Sequence, residues 1–501
     1  MMPILSKPWI IVSALIYLGV VFAIGVWAAR RTRNARDFFI AGQKIGLLVT
    51  ALATMTASYS GFVFLGGPGL TYSLGTASFF ICVSVSFTAG LLCWTVAKRL
   101  RLMSEVRDIY TVPDAFYHRF DSRLTSGLAA AGLLVGTIGY LGVQFRALGV
   151  LIEAIFGTRD YFGQASPWVA MAVGVSVILF YSVAGGMIAG VYTDLFQGFL
   201  MMLAAMAVFV TALSQAGGPA MLVESIRTSR QFGPDFLNPL GTVPVMTGLG
   251  FFFVFSIGTL GQPHMLHKFY MLDDPRKLKW MPLMIGGSQT LCVLIWMGIG
   301  LAVPALVAQG RMEALTRPDD AAPAFLLQFA PEVLAGLVFA GILAAIMSTA
   351  DSFLSIGSAA LVRDVPLALR RPLKDELRAG RLAVVFIALA AALFSYFYGD
   401  LIALLGTFAF GTFAAALGPA LAVGLNWKRV PARAATASIL TGLVLNLGLE
   451  LANRAQLLPL APGVLPSAVA LAASFTVLFA VTYLSPPPQP PRPDMEAVMD
   501  A

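Results

Sequence analysis

Residues 47–72 read LLVTALATMTASYSGFVFLGGPGLTY, and residues 242–270 read TVPVMTGLGFFFVFSIGTLGQPHMLHKFY. Both are apolar runs of membrane-spanning length, and both are interrupted at matching places. The first carries Ser60-Gly61 and then Gly66-Gly67-Pro68-Gly69. The second carries Gly258-Thr259-Leu260-Gly261-Gln262-Pro263. Glycine is a poor helix former and proline removes a backbone donor, so both runs are expected to unwind partway. In a bilayer, unwound backbone survives only where it lines a cavity or is buried in protein. One such break in each half of a membrane protein points to the binding site of a secondary transporter.

The rest of the chain agrees with a membrane solvent. Of 501 residues, 58% are hydrophobic and 12% are charged. Soluble domains carry about a quarter charged residues, so most of this surface must face lipid or protein. Apolar runs of about 20 residues mark spans. They fall near 8–29, 47–72, 77–97, 124–156, 166–185, 190–215, 242–263, 278–308, 331–362, 379–398, 400–427, 432–451 and 465–485. Residues 8–29 carry Lys7 before them and Arg30, Arg31, Arg33 and Arg36 after them. That is the reverse of a signal peptide, so a permanent first span is expected.

The basic residues test this list through the positive-inside rule. With the N-terminus outside, 25 of the 33 Lys and Arg fall in cytoplasmic loops, Lys268 among them, and seven fall outside. Arg146 alone is left within a span. The net charge of +8 is therefore a topological signal and not a nucleic-acid one. The expected architecture is an all-α integral membrane protein with 13 transmembrane helices. It divides into an extra span and loop (1–46), a first five-helix block (47–215), an extracellular loop (216–241) and a second block (242–427). Two C-terminal spans (428–485) and a proline-rich tail expected to be disordered (486–501) follow. Five spans per block make the two blocks inverted repeats, each opening on a broken helix.

Cys82, Cys93 and Cys292 lie in apolar runs without a C-x-x-C spacing and are expected to pack. His118, His264 and His267 have no metal-ligand spacing. No nucleophile–base pair or phosphate loop is apparent, so an enzyme is not expected. Nor is any cofactor beyond a coupling ion.

The segment 344–352, AAIMSTADS, places three hydroxyls and a carboxylate within two and a half helical turns. Hard cations prefer oxygen ligands. Ser348 and Thr349 can offer hydroxyls to sodium, and the unwound backbone near Thr56 and Tyr59 can offer carbonyls. The competing structural role for such hydroxyls is a bond back to the preceding turn or to another helix. Asp351, with Ser352 beside it, and Asp194 are intramembrane carboxylates, hence functional candidates in an ion pathway or second ion site. For Asp194 a solvated cap at a cytoplasmic turn is the alternative. Arg146 can hold a substrate carboxylate in a fork, or pair with Glu153.

The stretch Tyr181-Ser182-Val183-Ala184-Gly185-Gly186 through Thr193-Asp194 and Gln197 resembles the signature of the sodium/solute symporter family. Gly261-Gln262-Pro263-His264 and residues 344–352 do so too, and thirteen spans is the count of its proline-permease branch. The resemblance implies the leucine-transporter fold, alternating access and sodium-driven uptake. It also implies a sodium site made of the carbonyls of Thr56, Tyr59 and Ala345 with the hydroxyls of Ser348 and Thr349. The chain departs from the proline permeases at Ser58, where they carry an acid, at Phe62 and Phe255, where they carry tryptophan, and at Thr259, where they carry tyrosine. The expected substrate pocket comprises Ser58, Ser60, Gly61, Phe62, Gln144, Arg146, Phe255, Thr259, Gln262 and Pro263. The expected partners are sodium, a small organic solute (proline, another small amino acid or a monocarboxylate) and the bilayer of the cytoplasmic membrane. Proton coupling through Asp194 or Asp351, a transporter-like sensor and a channel stand as alternatives.

Overall fold

In the computed structural model, which describes residues 7–31, 35–398 and 401–501, the described residues are helices and connecting turns, with one isolated β-bridge between Ile45 and Leu272. Arg33, counted above among the cytoplasmic basic residues, lies outside them. The main helices are α1 (Pro8–Ala29), α2 (Leu47–Ser58), α3 (Gly67–Leu74), α4 (Phe79–Leu92) and α5 (Arg123–Phe156). Then come α6 (Ser166–Gln215), α7 (Val245–Ile257), α8 (Pro263–Phe269), α9 (Met281–Ala308) and α10 (Glu332–Ala359). The chain ends with α11 (Glu376–Tyr398), α12 (Ile402–Gly424), α13 (Ala432–Arg454), α14 (Pro466–Leu484) and α15 (Pro493–Asp500). Eleven described helical segments are long and apolar enough to cross a bilayer, or twelve when the bent pair Val245–Gly261 and Pro263–Phe269 is counted as one span.

Both predicted breaks exist, but the first is simpler than expected. Helix α2 stops at Ser58, Tyr59 is extended (φ −107°, ψ 105°), and helical backbone resumes at Gly61 through a widened turn over Phe62–Gly66. The Gly66–Gly69 run does not unwind. Pro68 follows directly on that widened turn, whose longer hydrogen-bond spacing (the Gly67 N–H donates to the Phe62 carbonyl) accommodates the donor it lacks. Gly67 is needed for space: a Cβ there would stand 2.2 Å from the Trp296 ring. The second break follows the expectation. The chain tightens over Gly258–Gly261, Gln262 is extended, and Pro263 opens α8 at a bend of 40°. Gly261 lets this break touch α12, since a Cβ would meet the Phe413 carbonyl at 2.6 Å and the Gly418 nitrogen at 2.7 Å.

Helix α6 holds 50 residues. If straight it would measure about 75 Å, more than twice the hydrocarbon thickness. It is not straight. Ser182 donates to one Asp351 oxygen at 2.6 Å, and Gly190 lies against the other. Eight residues of straight helix separate two points by about 12 Å, too far to share one carboxylate, so the chain bends between them.

Long apolar faces on the outer helices are exposed: α11 leaves Leu382, Phe386, Leu393 and Phe397 bare, while α10 and α12 are almost wholly enclosed. Polar contacts between loops separate into two faces. Arg107 pairs with Asp494, Lys428 with Glu496 and Arg492 with Asp121, all at one end of the bundle. Arg317 and Arg159 approach Glu153, and Gln309 donates to the Ala216 carbonyl, at the other. The tail departs from the disorder expected of it. Residues 493–500 form α15, with Met495, Val498 and Met499 buried, because its acidic face finds Arg107 and Lys428 while its apolar face packs.

Candidate functional site

The two breaks and the middle of α10 meet. On α10, Thr349 is fully buried, and its hydroxyl donates toward the Ala57 carbonyl at 3.2 Å and the Thr56 carbonyl at 3.4 Å. Both carbonyls lie in the last turn of α2, where helical partners run out as the chain unwinds at Tyr59. Of the carbonyls expected at the ion site, the Thr349 hydroxyl faces that of Thr56; the nearer one, Ala57, was not among them. Ser348, next along α10, donates to Asp194 Oδ1. Ala345, one turn earlier, is buried beside them. Ser352 donates back to the Ser348 carbonyl at 3.0 Å, the local role weighed for such hydroxyls. Asp351 accepts from Ser182, and its Oδ2 is buried with no hydrogen-bond partner among the described residues.

Asp194 is not a solvated cap. Its side chain is 1% exposed, and Lys268 Nζ lies 2.8 Å from Oδ2. Lys268 corrects the sequence reading, which placed it in a cytoplasmic loop. It lies on α8 with its side chain 1% exposed. The available signal was its position five residues past Pro263, too close to the break for a helix starting there to have left the membrane. His264 and His267 on the same helix are also buried.

Above this polar cluster lies an aromatic cavity. It is lined by Ser58, Tyr59, Phe62, Val63, Ile81 and Cys82, and by Tyr140, Phe255, Thr259, His264, Met265, Trp296 and Phe410. Phe62 stacks on Phe255 (centroids 5.6 Å apart), Phe255 stacks on Phe410 (4.4 Å), and Trp296 meets Phe62 edge-on (5.8 Å). Measured as space open to the centre of a water molecule, the cavity is ≈ 20 Å³. That admits about one water and no amino acid, so the aromatic rings close it in this state.

Four expected pocket residues line this cavity: Ser58, Phe62, Phe255 and Thr259. The others hold the breaks in shape. The Gly61 N–H donates to Gln144 Oε1 at 3.1 Å, the Phe62 N–H donates to Ser60 Oγ at 3.1 Å, and Gln262 Nε2 donates to the Gly258 and Phe410 carbonyls, both at 3.1 Å. Pro263 starts α8. Arg146 is not in the lining; its charge acts on Asp319, in the Pro318–Asp320 turn between α9 and α10, whose carboxylate accepts the Ile402 N–H at the start of α12. Glu153, its alternative partner, instead approaches Arg159 and Arg317. Trp296, Tyr140, Phe410 and Cys82 are lining residues the sequence reading missed. Trp296 is held by its indole N–H, which donates to Thr71 Oγ1 at 2.8 Å.

A helical bundle with two mid-membrane breaks, joined by hydroxyls, carbonyls and a buried ion pair, defines the class of cation-coupled membrane carriers. The family model for the sodium:solute symporter family matches residues 38–442, and the chain belongs to that family. It is 28% identical over 453 residues to sodium/proline symporter 2 of Staphylococcus saprophyticus, covering 86% of this chain and 84% of that one. It is 29% identical to the high-affinity proline transporter PutP of Bacillus subtilis (84% and 87% covered) and 28% identical to the sodium/pantothenate symporter of Escherichia coli (87% and 89%). A solved Na+-coupled sialic acid symporter, in a substrate-bound outward-open state, superposes with a TM-score of 0.76 at 17% identity, covering 96% of this chain and 98% of that one. MhsT in complex with L-phenylalanine superposes at 0.57. These likenesses establish the fold. The protein is a sodium-coupled symporter of a small organic solute in a multi-pass membrane fold.

Proposed function

We propose that the chain imports a small zwitterionic amino acid, of the size of proline, or a small monocarboxylate, across the cytoplasmic membrane. Sodium would bind between the end of α2, through the carbonyls of Thr56 and of Tyr59 just past it, and α10, through the Ala345 carbonyl and the hydroxyls of Ser348 and Thr349. The observation that carries this reading is the Thr349 hydroxyl turned on the carbonyls of Thr56 and Ala57, an arrangement a hard monovalent cation can enter by rotation of one hydroxyl.

The solute would enter the aromatic cavity once the rings of Phe62, Phe255 and Trp296 part. Its carboxylate would meet the N-terminal end of a half-helix at a break. The unbonded amide atoms Gln144 Nε2 and Gln262 Oε1 add one donor and one acceptor near the two breaks. The departures at Ser58, Phe62, Phe255 and Thr259 set the solute apart from those of the proline permeases. Arg146, beside Asp319, would tune the field at the outer mouth and not clamp the solute.

The thirteen-span, inverted-repeat plan belongs to the same proposal. The segment Phe62–Val106 has 45 residues, twice a span, and Gly75 at φ +72° turns the chain within it. Dividing it there, with α2 leading into α3, raises twelve spans to thirteen. The Arg107, Lys428 and Asp494 face would be cytoplasmic and the Glu153 and Arg317 face external. Asp351, with its unbonded buried oxygen, favours a second reading, in which Asp194, Asp351 and Ser352 serve a second cation or a proton.

The test is uptake into proteoliposomes of labelled proline, other small amino acids, acetate, pyruvate and pantothenate, with and without an inward sodium gradient. Sodium-dependent uptake of one compound, lost in Ser348→Ala/Thr349→Ala, is the expected result. Uptake indifferent to both would overturn the sodium site.

A further inference from the structure

A lysine closed inside a bundle needs a reason to be there. Lys268 and Asp194 are each 1% exposed, 2.8 Å apart, and stand where the ion site meets the second break. Burying two charges costs more than most pairs recover, so such a pair is weak evidence of a stability role. Its surroundings point to the ion instead. Asp194 is bound on both oxygens: Oδ2 faces the ammonium and Oδ1 accepts the Ser348 hydroxyl. With its proton aimed at Asp194, the Ser348 oxygen keeps its lone pairs for a cation. The Lys268 ammonium has three donors, yet among the described residues its partners are one carboxylate oxygen and the Met187 sulfur at 3.7 Å. It is held chiefly by charge.

We propose that Lys268 is a tethered counter-cation that governs how tightly this carrier holds sodium. It neutralises Asp194 in the ion-free protein. It also keeps that carboxylate from gripping sodium directly, so that the ion binds to neutral oxygens and leaves readily. Without the ammonium, Asp194 is a full negative charge one hydroxyl away from the bound ion. Without the carboxylate, the ammonium is an uncompensated positive charge at the same distance. The two single changes must therefore move sodium affinity in opposite directions. This inference rests on the sodium site proposed above at Ser348 and Thr349.

The test needs no solute. Full-length protein purified in detergent is titrated with sodium chloride at constant ionic strength, made up with choline chloride, and the thermal midpoint is followed. Lys268→Gln is expected to lower the half-saturating sodium concentration on the order of tenfold. Asp194→Asn should raise it by a similar factor, and the double variant should return close to wild type. A half-saturating concentration that Lys268→Gln leaves unchanged or raises overturns the proposal, because a purely structural pair predicts no sign reversal. If Lys268→Gln alone does not fold, Asp194→Asn and the double variant decide: weakened sodium binding restored in the double supports the proposal, and unchanged binding in Asp194→Asn overturns it. Ser348→Ala/Thr349→Ala is run beside them. A sodium response retained there would remove the underlying ion site, a failure distinct from that of Lys268.

Discussion

The proposed ion site and the aromatic cavity share the first break yet are made of opposite materials. The ion site is polar, with Thr349, Ser348, Asp194 and Lys268 bonded to one another or to the carbonyls of Thr56 and Ala57. The cavity is aromatic, closed by the rings of Phe62, Phe255, Phe410 and Trp296 with few polar groups. The difference teaches a division of labour. Oxygen ligands on enclosed helices suit an ion of fixed charge and size. Rings, which repack at small cost, suit a site that opens for a solute and selects it by shape.

Four measurements break or sharpen that division. The largest effect belongs to the ion site. Ser348→Ala/Thr349→Ala should lower sodium-driven uptake on the order of a hundredfold for every transported solute, while the protein still reaches the membrane. Loss confined to one solute would blur the two regions. Next, Phe255→Ala should change the half-saturating solute concentration on the order of tenfold through the lost ring contacts, with sodium half-saturation unchanged. Parallel shifts in both would show the cavity and the ion site acting as one.

A third test concerns Asp319, in the Pro318–Asp320 turn and outside the cavity lining. Asp319 accepts the Ile402 N–H at 3.1 Å and lies where Gly69 touches the chain. Burial pushes its carboxyl up to about 6, against the pull of the Ile402 N–H and Arg146. The folded protein thus favours the protonated form. Its contribution to stability is complete below the ordinary carboxyl range near 3.8 and is lost as pH climbs through that value to about 6. The loss amounts to roughly 3 kcal/mol. Asp319→Asn keeps the acceptor and removes the titration. The variant's thermal midpoint should therefore match wild type near pH 4 and exceed it at pH 7. A difference that does not vary with pH would contradict this.

The smallest effect is at the cytoplasmic-facing surface proposed for α15. The Arg107–Asp494 pair is part-exposed, so Asp494→Asn should cost under about 1 kcal/mol, and less at high salt, by denaturation at two ionic strengths. A larger cost would make the tail helix part of the transport core.

How much of this was legible follows the same division. The polar cluster could be read because hydroxyls and carboxylates are out of place in an apolar helix: Ser348, Thr349, Asp351 and Asp194 each announce themselves by their cost in lipid. Lys268 escaped because basic residues near span ends usually lie in loops, and only the bend at Gln262 shows how soon after it the chain is still enclosed. Trp296, Tyr140 and Phe410 escaped because an aromatic ring in a membrane helix is unexceptional wherever it faces. The Gly66–Gly69 run reads in the sequence as part of the first break, whereas close packing against Trp296 and Pro318 is what Gly67 and Gly69 serve.

By itself the sequence determined the membrane class, the two breaks and the polar cluster of α10 and Asp194, because apolar length, glycine with proline, and polar atoms in hydrocarbon each carry a local energetic signature. Tertiary structure alone decided which ring closes the cavity, that Lys268 meets Asp194, that α6 bends to bring Ser182 and Gly190 to one carboxylate, and that the tail folds. Those outcomes depend on which helix faces which, and no local signature encodes a partner that lies 74 or 169 residues away.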